Sequence, residues 1–447
     1  MRLRGMLVAC MLLAALGGVV WYSEKVKKDA ESKPAADAAL KVLSIPEDQF
    51  RQIEIAKRDG EPTVLKRDSA SSKWQIVAPK PLSADAEAVS SLVSSLASLA
   101  SDRLIEEKAA DLNGYGLAAP SIMVSITTAD GKVRKLLVGD ETPTGGGAFA
   151  KAGDDARVFT IASFSKTGLD KTSKDLRDKR LLTFDSEKLS RVELMAKKQA
   201  VEFGKNAQNE WTILKPRPLR ADGGQVEELV RKLKDAKMDT AVSDEDAKKA
   251  VAAFGSGVPV AVALATDAGG TQQIEVRKDK DKNYYAKSSV VEGVHKIAGD
   301  LGDGLDKSLE DFRNKKLFDF GFNDPTRVEF RDGAKSSVFV KSGDKWFLNG
   351  KQMDSAALQS LIDKLRELSS IKFVDAGFTT PAMEASVTSK DGKLVEKVLV
   401  SKSGNSYFAR RENEPAVYEL DGKAVEELQK AASEVMEYQP PKDQKKK

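Results

Sequence analysis

The chain has 447 residues, 41% of them hydrophobic and 31% charged, with a net charge of only +4 and the two signs interspersed. That composition is globular and leaves no basic stripe for nucleic acid. One histidine (His295) and one cysteine (Cys10) exclude a His/Cys zinc set and internal disulfides within a single chain.

The first predicted element is an apolar helix. Gly5 to Tyr22 carries no charge. As a helix it would span roughly 27 Å, enough for a thin hydrocarbon core. Trp21 and Tyr22 fall at its end, where amphipathic rings favour the headgroup level. The length favours a retained signal-anchor helix, so residues 1–23 are expected to be a membrane anchor. Two other readings stay open. Ala15-Leu16-Gly17 would serve as a signal-peptide cleavage site. Leu7 to Cys10 looks like a lipobox, but most of the apolar region lies after the cysteine. Arg2 and Arg4 flank one side and Lys25, Lys27 and Lys28 the other, so charge does not set the orientation. An N-terminal span of this kind exports the chain on its C-terminal side, which places the bulk of the protein outside the cytoplasm. The charged, Ala-rich stretch beyond the span reads as a flexible spacer over 24–45.

Beyond the spacer the sequence repeats. Trp74, Trp211 and Trp346 stand 137 and 135 residues apart, in the strings KWQIVAPKPL, EWTILKPRPL and KWFLNGKQM. Each leads to a helical string with apolar residues at i, i+3, i+4 and i+7: Val89, Leu92, Val93 and Leu96 in the first copy. Val226, Leu229, Val230 and Leu233 match them in the second, and Leu358, Leu361, Ile362 and Leu365 in the third. Asp85, Asp222 and Asp354 precede the stripes as N-caps, and Gln225 is placed to complete a capping box with Asp222. Next comes a Gly-x-x-x-Pro turn into a strand, at Gly116/Pro120, Gly255/Pro259 and Gly377/Pro381. A closing string, Asp175 to Phe184 and Asp311 to Phe320, ends the first two copies. The third lacks it and ends in a helix expected near Lys423 to Glu437. Alternating runs joined by polar turns, such as Asp332-Gly333 and Gly343-Asp344, are hairpin grammar and imply antiparallel pairing. The expected fold class is α+β: an N-terminal transmembrane helix, then three tandem modules of antiparallel sheet with packed helices over 46–184, 185–320 and 321–438, and a disordered tail over 439–447.

No catalytic, cofactor or metal residue can be named from this sequence. His295 has no counterpart in the other copies and reads as an incidental surface or half-buried residue. Asp279, Asp281 and Asn283 have calcium-loop spacing, but Tyr284 stands where Gly makes the turn and Val290 where Glu binds bidentately. The segment reads as a charged hairpin tip. Gly145 to Gly147 lacks the Lys-Ser/Thr of a phosphate loop and reads as a turn. The three tryptophans, in equivalent strands flanked by apolar residues, are expected to pack in cores.

The ordered motifs resemble a known family. Trp74 to Pro79, Tyr115 to Ser121 and Asp175 to Leu182 carry the likeness to the bacterial domain-of-unknown-function 4340 repeat, over most of residues 46–320. The third copy departs from it, with no Pro at the right step after Trp346. The resemblance implies a single-span envelope protein on the periplasmic side of the inner membrane. It also implies company with transport systems similar to the gliding-motility-type ABC exporter, and it brings no catalytic residues. The expectation is therefore a non-enzymatic scaffold or accessory protein binding a membrane complex such as an ABC-type permease or its auxiliary subunit, without cofactor. The alternative is an envelope glycan-binding protein or hydrolase.

Overall fold

The structure, a computed structural model, describes residues 40–240, 244–412 and 414–440. The expected anchor and most of both the expected spacer and the expected tail lie outside the described residues. Among those described, no helix is long and apolar enough to cross a membrane. The chain divides into two compact units, Met1–Lys179 and Arg180–Lys447, the second holding both later modules.

Three antiparallel sheets carry the architecture, of nine, eight and nine strands among the described residues. In each, one strand lies at the centre of a meander: Phe50–Lys57, Arg191–Ala196 and Arg327–Asp332. The register repeats. Ile53 lies opposite Leu65 and Ile126, Val192 opposite Phe203 and Ala265, and Val328 opposite Phe339 and Val387. Alternation puts these residues on the inner face, where all are buried. The helices Ala86–Ala97, Gly223–Lys234 and Ser355–Glu367 bury the predicted stripes against that face, except that Val230 is half-buried. Asp85, Asp222 and Asp354 cap them by accepting backbone N–H bonds of the first turn. At Asp222 the bond comes from the Gln225 amide; the full reciprocal boxes sit elsewhere, at Thr172/Asp175 and Ser308/Asp311, opening the short helices of the closing strings. Trp211 and Trp346 are buried, and Trp74 packs half-buried against the first core.

Each module has its own hydrophobic core, and each core begins earlier than the repeat strings suggest. Val42, Leu43 and Ile45 enter the first, Leu181, Leu182 and Phe184 the second, and Leu317, Phe318 and Phe320 the third. The spacer's last residues and the ends of the closing strings are therefore leading strings of the next module. Equivalent backbone bonds fix them: Val42 N to Leu99 O at 2.8 Å, Leu181 N to Ala236 O at 2.8 Å and Leu317 N to Leu368 O at 2.9 Å. The first half of each closing string stays with its own module, through Asp85 N to Leu176 O and Asp222 N to Phe312 O.

The third module makes the same closure with different residues. Its last helix is Gly422–Glu434, shorter than expected. The chain beyond it turns extended, so that Asp354 N donates to Met436 O and Met353 bridges Glu437. Its missing proline also has a physical reason. The first two modules turn after the Trp strand with cis Ala78-Pro79 and Lys215-Pro216, whereas the third uses Asn349-Gly350, both at positive φ, as a two-residue hairpin loop. The second module differs at its far edge. Where the others pair Arg103–Glu106 or Ser370–Val374 with the last strand, it has a bridge from Met238 to Ile297 and the helix Asp244–Ser256, whose Ala250 and Phe254 pack on Val294.

Candidate functional site

The densest buried chemistry among the described residues lies where the second module meets the third. Arg220 ends the two-residue strand Leu219–Arg220, pairs with Thr212, and directly precedes Ala221 and the N-cap Asp222, so its backbone is fixed on both sides. Asp319 stands in the third module's leading string between the buried Phe318 and Phe320. Glu396 faces inward from Leu394–Ser403, Arg411 ends Ser406–Arg411 opposite Val398, and Tyr418 lies in Val417–Leu420.

These side chains form one network. The Arg220 guanidinium pairs with the Asp319 carboxylate through Nη1. Its Nη2 donates to Lys316 O at 2.6 Å and to the Tyr418 hydroxyl at 3.2 Å. Nε lies 2.9 Å from Glu414 Oε1, an ion pair without the alignment of a hydrogen bond. From the other side, Arg411 reaches Asp319 Oδ2 at 2.9 Å, Glu396 Oε1 at 2.9 Å and Glu414 Oε1 at 3.3 Å. Tyr418 donates to Glu414 Oε2 at 2.7 Å, Asn314 Nδ2 donates to Asp319 Oδ1 at 2.8 Å, and the Asp319 amide donates to Glu396 Oε1 at 2.7 Å.

Charge counting explains the titration of the group. Two guanidiniums balance Asp319 and Glu414, so Glu396 is the fifth charge. It is 4% exposed, and its Oε2 has no hydrogen-bond partner among the described residues. Burial pushes its carboxyl above the usual range, against the hydrogen bond from the Asp319 amide and the pull of Arg411, while the Asp319 charge adds to the rise. Asp319 moves the other way: burial opposes ionisation, but Arg220 and Arg411 outweigh it and hold the carboxyl below its usual range. Burial also raises Tyr418, which keeps the phenol neutral.

A third arginine completes the junction. Arg313, from the second module's closing string, is 7% exposed. Its guanidinium sits 3.3 Å from the centroid of the Phe373 ring and pairs with Glu310 at 3.0 Å. Phe373 in turn tilts against Tyr418 at 5.2 Å between ring centroids. The second module thus inserts Arg220 and Arg313 into the third. Such charges are consumed by each other, which makes the arrangement a clamp.

The features singled out in the sequence are scattered over the fold. His295 lies in the strand Val294–Ile297 with Nε2 3.0 Å from Glu292 O. Asp279 closes a hairpin tip, accepting from the amides of Asp281 and Asn283 at 2.9 and 2.8 Å and from Asn283 Nδ2 at 3.2 Å, so its oxygens are taken by the chain itself. Gly145, at φ +72°, makes the turn between Val133–Glu141 and Gly147–Ala152. Among the described residues no group of three or more His, Cys, Asp or Glu is placed to hold a metal ion. Sequence reasoning missed the junction. The signal lay in comparing copies: the sheet register sets Arg220 level with Ser83 and Gln352, Glu396 with Arg134 and Gln272, and Arg411 with Ala152 and Ser288.

The model of a domain of unknown function, DUF4340, matches residues 74–217 and 211–387. The chain belongs to the DUF4340 family. Each match starts at a Trp strand, so the family's unit runs across the boundary between one core and the next. The second DUF4340 match takes in Arg220, Arg313, Asp319 and Phe373, and it stops before Glu396, Arg411, Glu414 and Tyr418. No curated protein matches the chain.

Proposed function

We propose that this chain is a non-catalytic scaffold, anchored by Gly5 to Tyr22 in a bacterial inner membrane, with its modules on the periplasmic side. There it binds a membrane complex of the ABC-transporter type as an accessory. The observation that carries the scaffold reading is the junction. Its arginines, Arg313 buried and Arg220 half-buried, are spent on holding one module against the next rather than presented to a small molecule, and tandem modules offer a repeated surface for a partner. The uncharged N-terminal segment supports the anchor. The transporter rests on the company that such proteins keep, an associational warrant.

Purification of the C-terminally tagged chain from gently solubilised membranes, with mass spectrometry of co-purifying proteins, tests the reading. Reproducible recovery of an ABC permease or its auxiliary subunit is expected. Recovery of cell-wall material, or of the chain alone, would contradict it and turn attention to glycan binding or hydrolysis.

A further inference from the structure

The internal repeat lets one module's interface be read onto another. On the third module, the socket that receives Arg220 is built from the leading string (Asp319), the second strand of the later hairpin (Glu396), the end of the next strand (Arg411) and the turn after it (Glu414). By register the first module's counterparts are Ser44, Arg134, Ala152 and Asp155. All four line one groove of about 580 Å³ on the first module. The position filled by an arginine in the third module is an open groove in the first.

The occupant that fits a socket of this build is seen at the junction of the second and third modules: the short edge strand of a module, with its closing string alongside. The third module presents the same edge. There Lys351–Gln352 stands where Leu219–Arg220 stands in the second module, and Glu437 stands where Arg313 does. That edge is exposed: Met436 is 58% and Tyr438 42% accessible, and Lys351 and Glu437 pair with each other in solvent at 2.9 Å. The amide of Gln352 stands at Arg220's register position and would meet a groove whose Asp130, Asp154 and Asp155 already pair with Lys132, Arg134 and Arg157, so the charge contact lies alongside the groove. The counterpart of Phe373, Leu104, is flanked by the exposed Arg103, which suits Glu437.

We propose that the first-module groove receives the third-module edge of a second copy of this chain, so that copies join head to tail. The contact is heterologous, groove to edge, and leaves a free groove at one end and a free edge at the other, so association is open-ended rather than closed at a dimer. It repeats between chains the junction that the second and third modules make within one.

Sedimentation of the full chain in non-ionic detergent, from about 1 μM to about 1 mM, reads this directly. The average mass should rise past the dimer with concentration. Glu437→Lys should raise the apparent dissociation constant about tenfold or more, Arg103→Glu should do the same, and the two together should bring it back to within about threefold of the parent. Ala156→Arg, at an exposed position lining the groove, should abolish association without touching any core. A mass that stays at one chain throughout the range overturns the proposal. So does association that none of these variants changes, because that would belong to the apolar N-terminal segment.

Discussion

The first and third modules share a register, a core plan and a capped helix, yet they differ at one equivalent place. In the third, Asp319, Glu396, Arg411 and Glu414 close around an arginine from the preceding module. In the first, Ser44, Arg134, Ala152 and Asp155 border a groove. The difference shows that the module's fold does not depend on filling the socket, while the residues in the socket depend on whether it is filled. Arg134 illustrates this: it pairs outward with Asp154 at 3.1 Å, with both side chains largely exposed. Glu396, at the matching position, is buried with one oxygen unpartnered.

Substitutions should therefore have unequal effects at equivalent positions. Arg220→Ala is expected to be the most damaging. It leaves Asp319 and Glu414, whose side chains are 36% and 23% exposed, beside a single guanidinium, and losing charge-assisted bonds that water partly screens costs about 1.5–3 kcal/mol. Denaturant unfolding followed at the tryptophans would show it, with Trp211 and Trp346 reporting on the two modules that share the junction. Asp354→Ala removes an N-cap of the third module and should cost about 1 kcal/mol, with Asp85→Ala similar in the first, because caps act locally and do not see the socket. Arg134→Ala should change stability by no more than about 0.5 kcal/mol, as expected for an exposed pair. If Arg134→Ala proved as costly as Arg220→Ala, the contrast between filled and open sockets would fail.

The pH dependence sharpens the same contrast. Glu396 has a folded pKa above its unfolded value, so its contribution is full below the unfolded value and is lost as pH rises through the raised one. Asp319 has a folded pKa below its unfolded value, so its contribution is full above the unfolded value and is lost as pH falls through the depressed one. The junction should be firmest between those limits, with Asp319 ionised and Glu396 protonated. Glu396→Gln keeps the neutral shape and should remove the loss on the alkaline side while leaving the loss on the acid side. Midpoints of urea unfolding across pH 3 to about 9 would show the flattening, and a parallel drop in both proteins as pH rises above the ordinary carboxylate range would contradict it.

Much of the scaffold was legible in the sequence because its signals are local. The apolar stripe at Leu358, Leu361, Ile362 and Leu365 and the cap at Asp354 lie within twelve residues of one another and read as a helix without help. The tryptophan strings and the Asp-Gly and Gly-Asp turns are equally short-range. Leading strings were harder to assign. Leu181 and Leu317 sit in runs that look like the ends of modules, and only tertiary packing shows that they serve the next core. The junction was least legible. Arg220, Asp319, Glu396, Arg411 and Glu414 come from five places in a chain that is 31% charged, and each alone looks like solvated surface. Their pairing around the buried Glu396 is produced by docking two modules, and no periodicity within one module encodes it.

Hydrogen exchange on the intact chain and its Arg220→Ala variant tests the central claim most directly, since it reads each segment separately. Faster exchange is expected in Arg220→Ala at 219–222, 316–320 and 411–420, with the helix Ala86–Ala97 and the strand Phe50–Lys57 of the first module unchanged. Unaltered protection on both sides of the junction would show that the arginine network does not hold the second and third modules together.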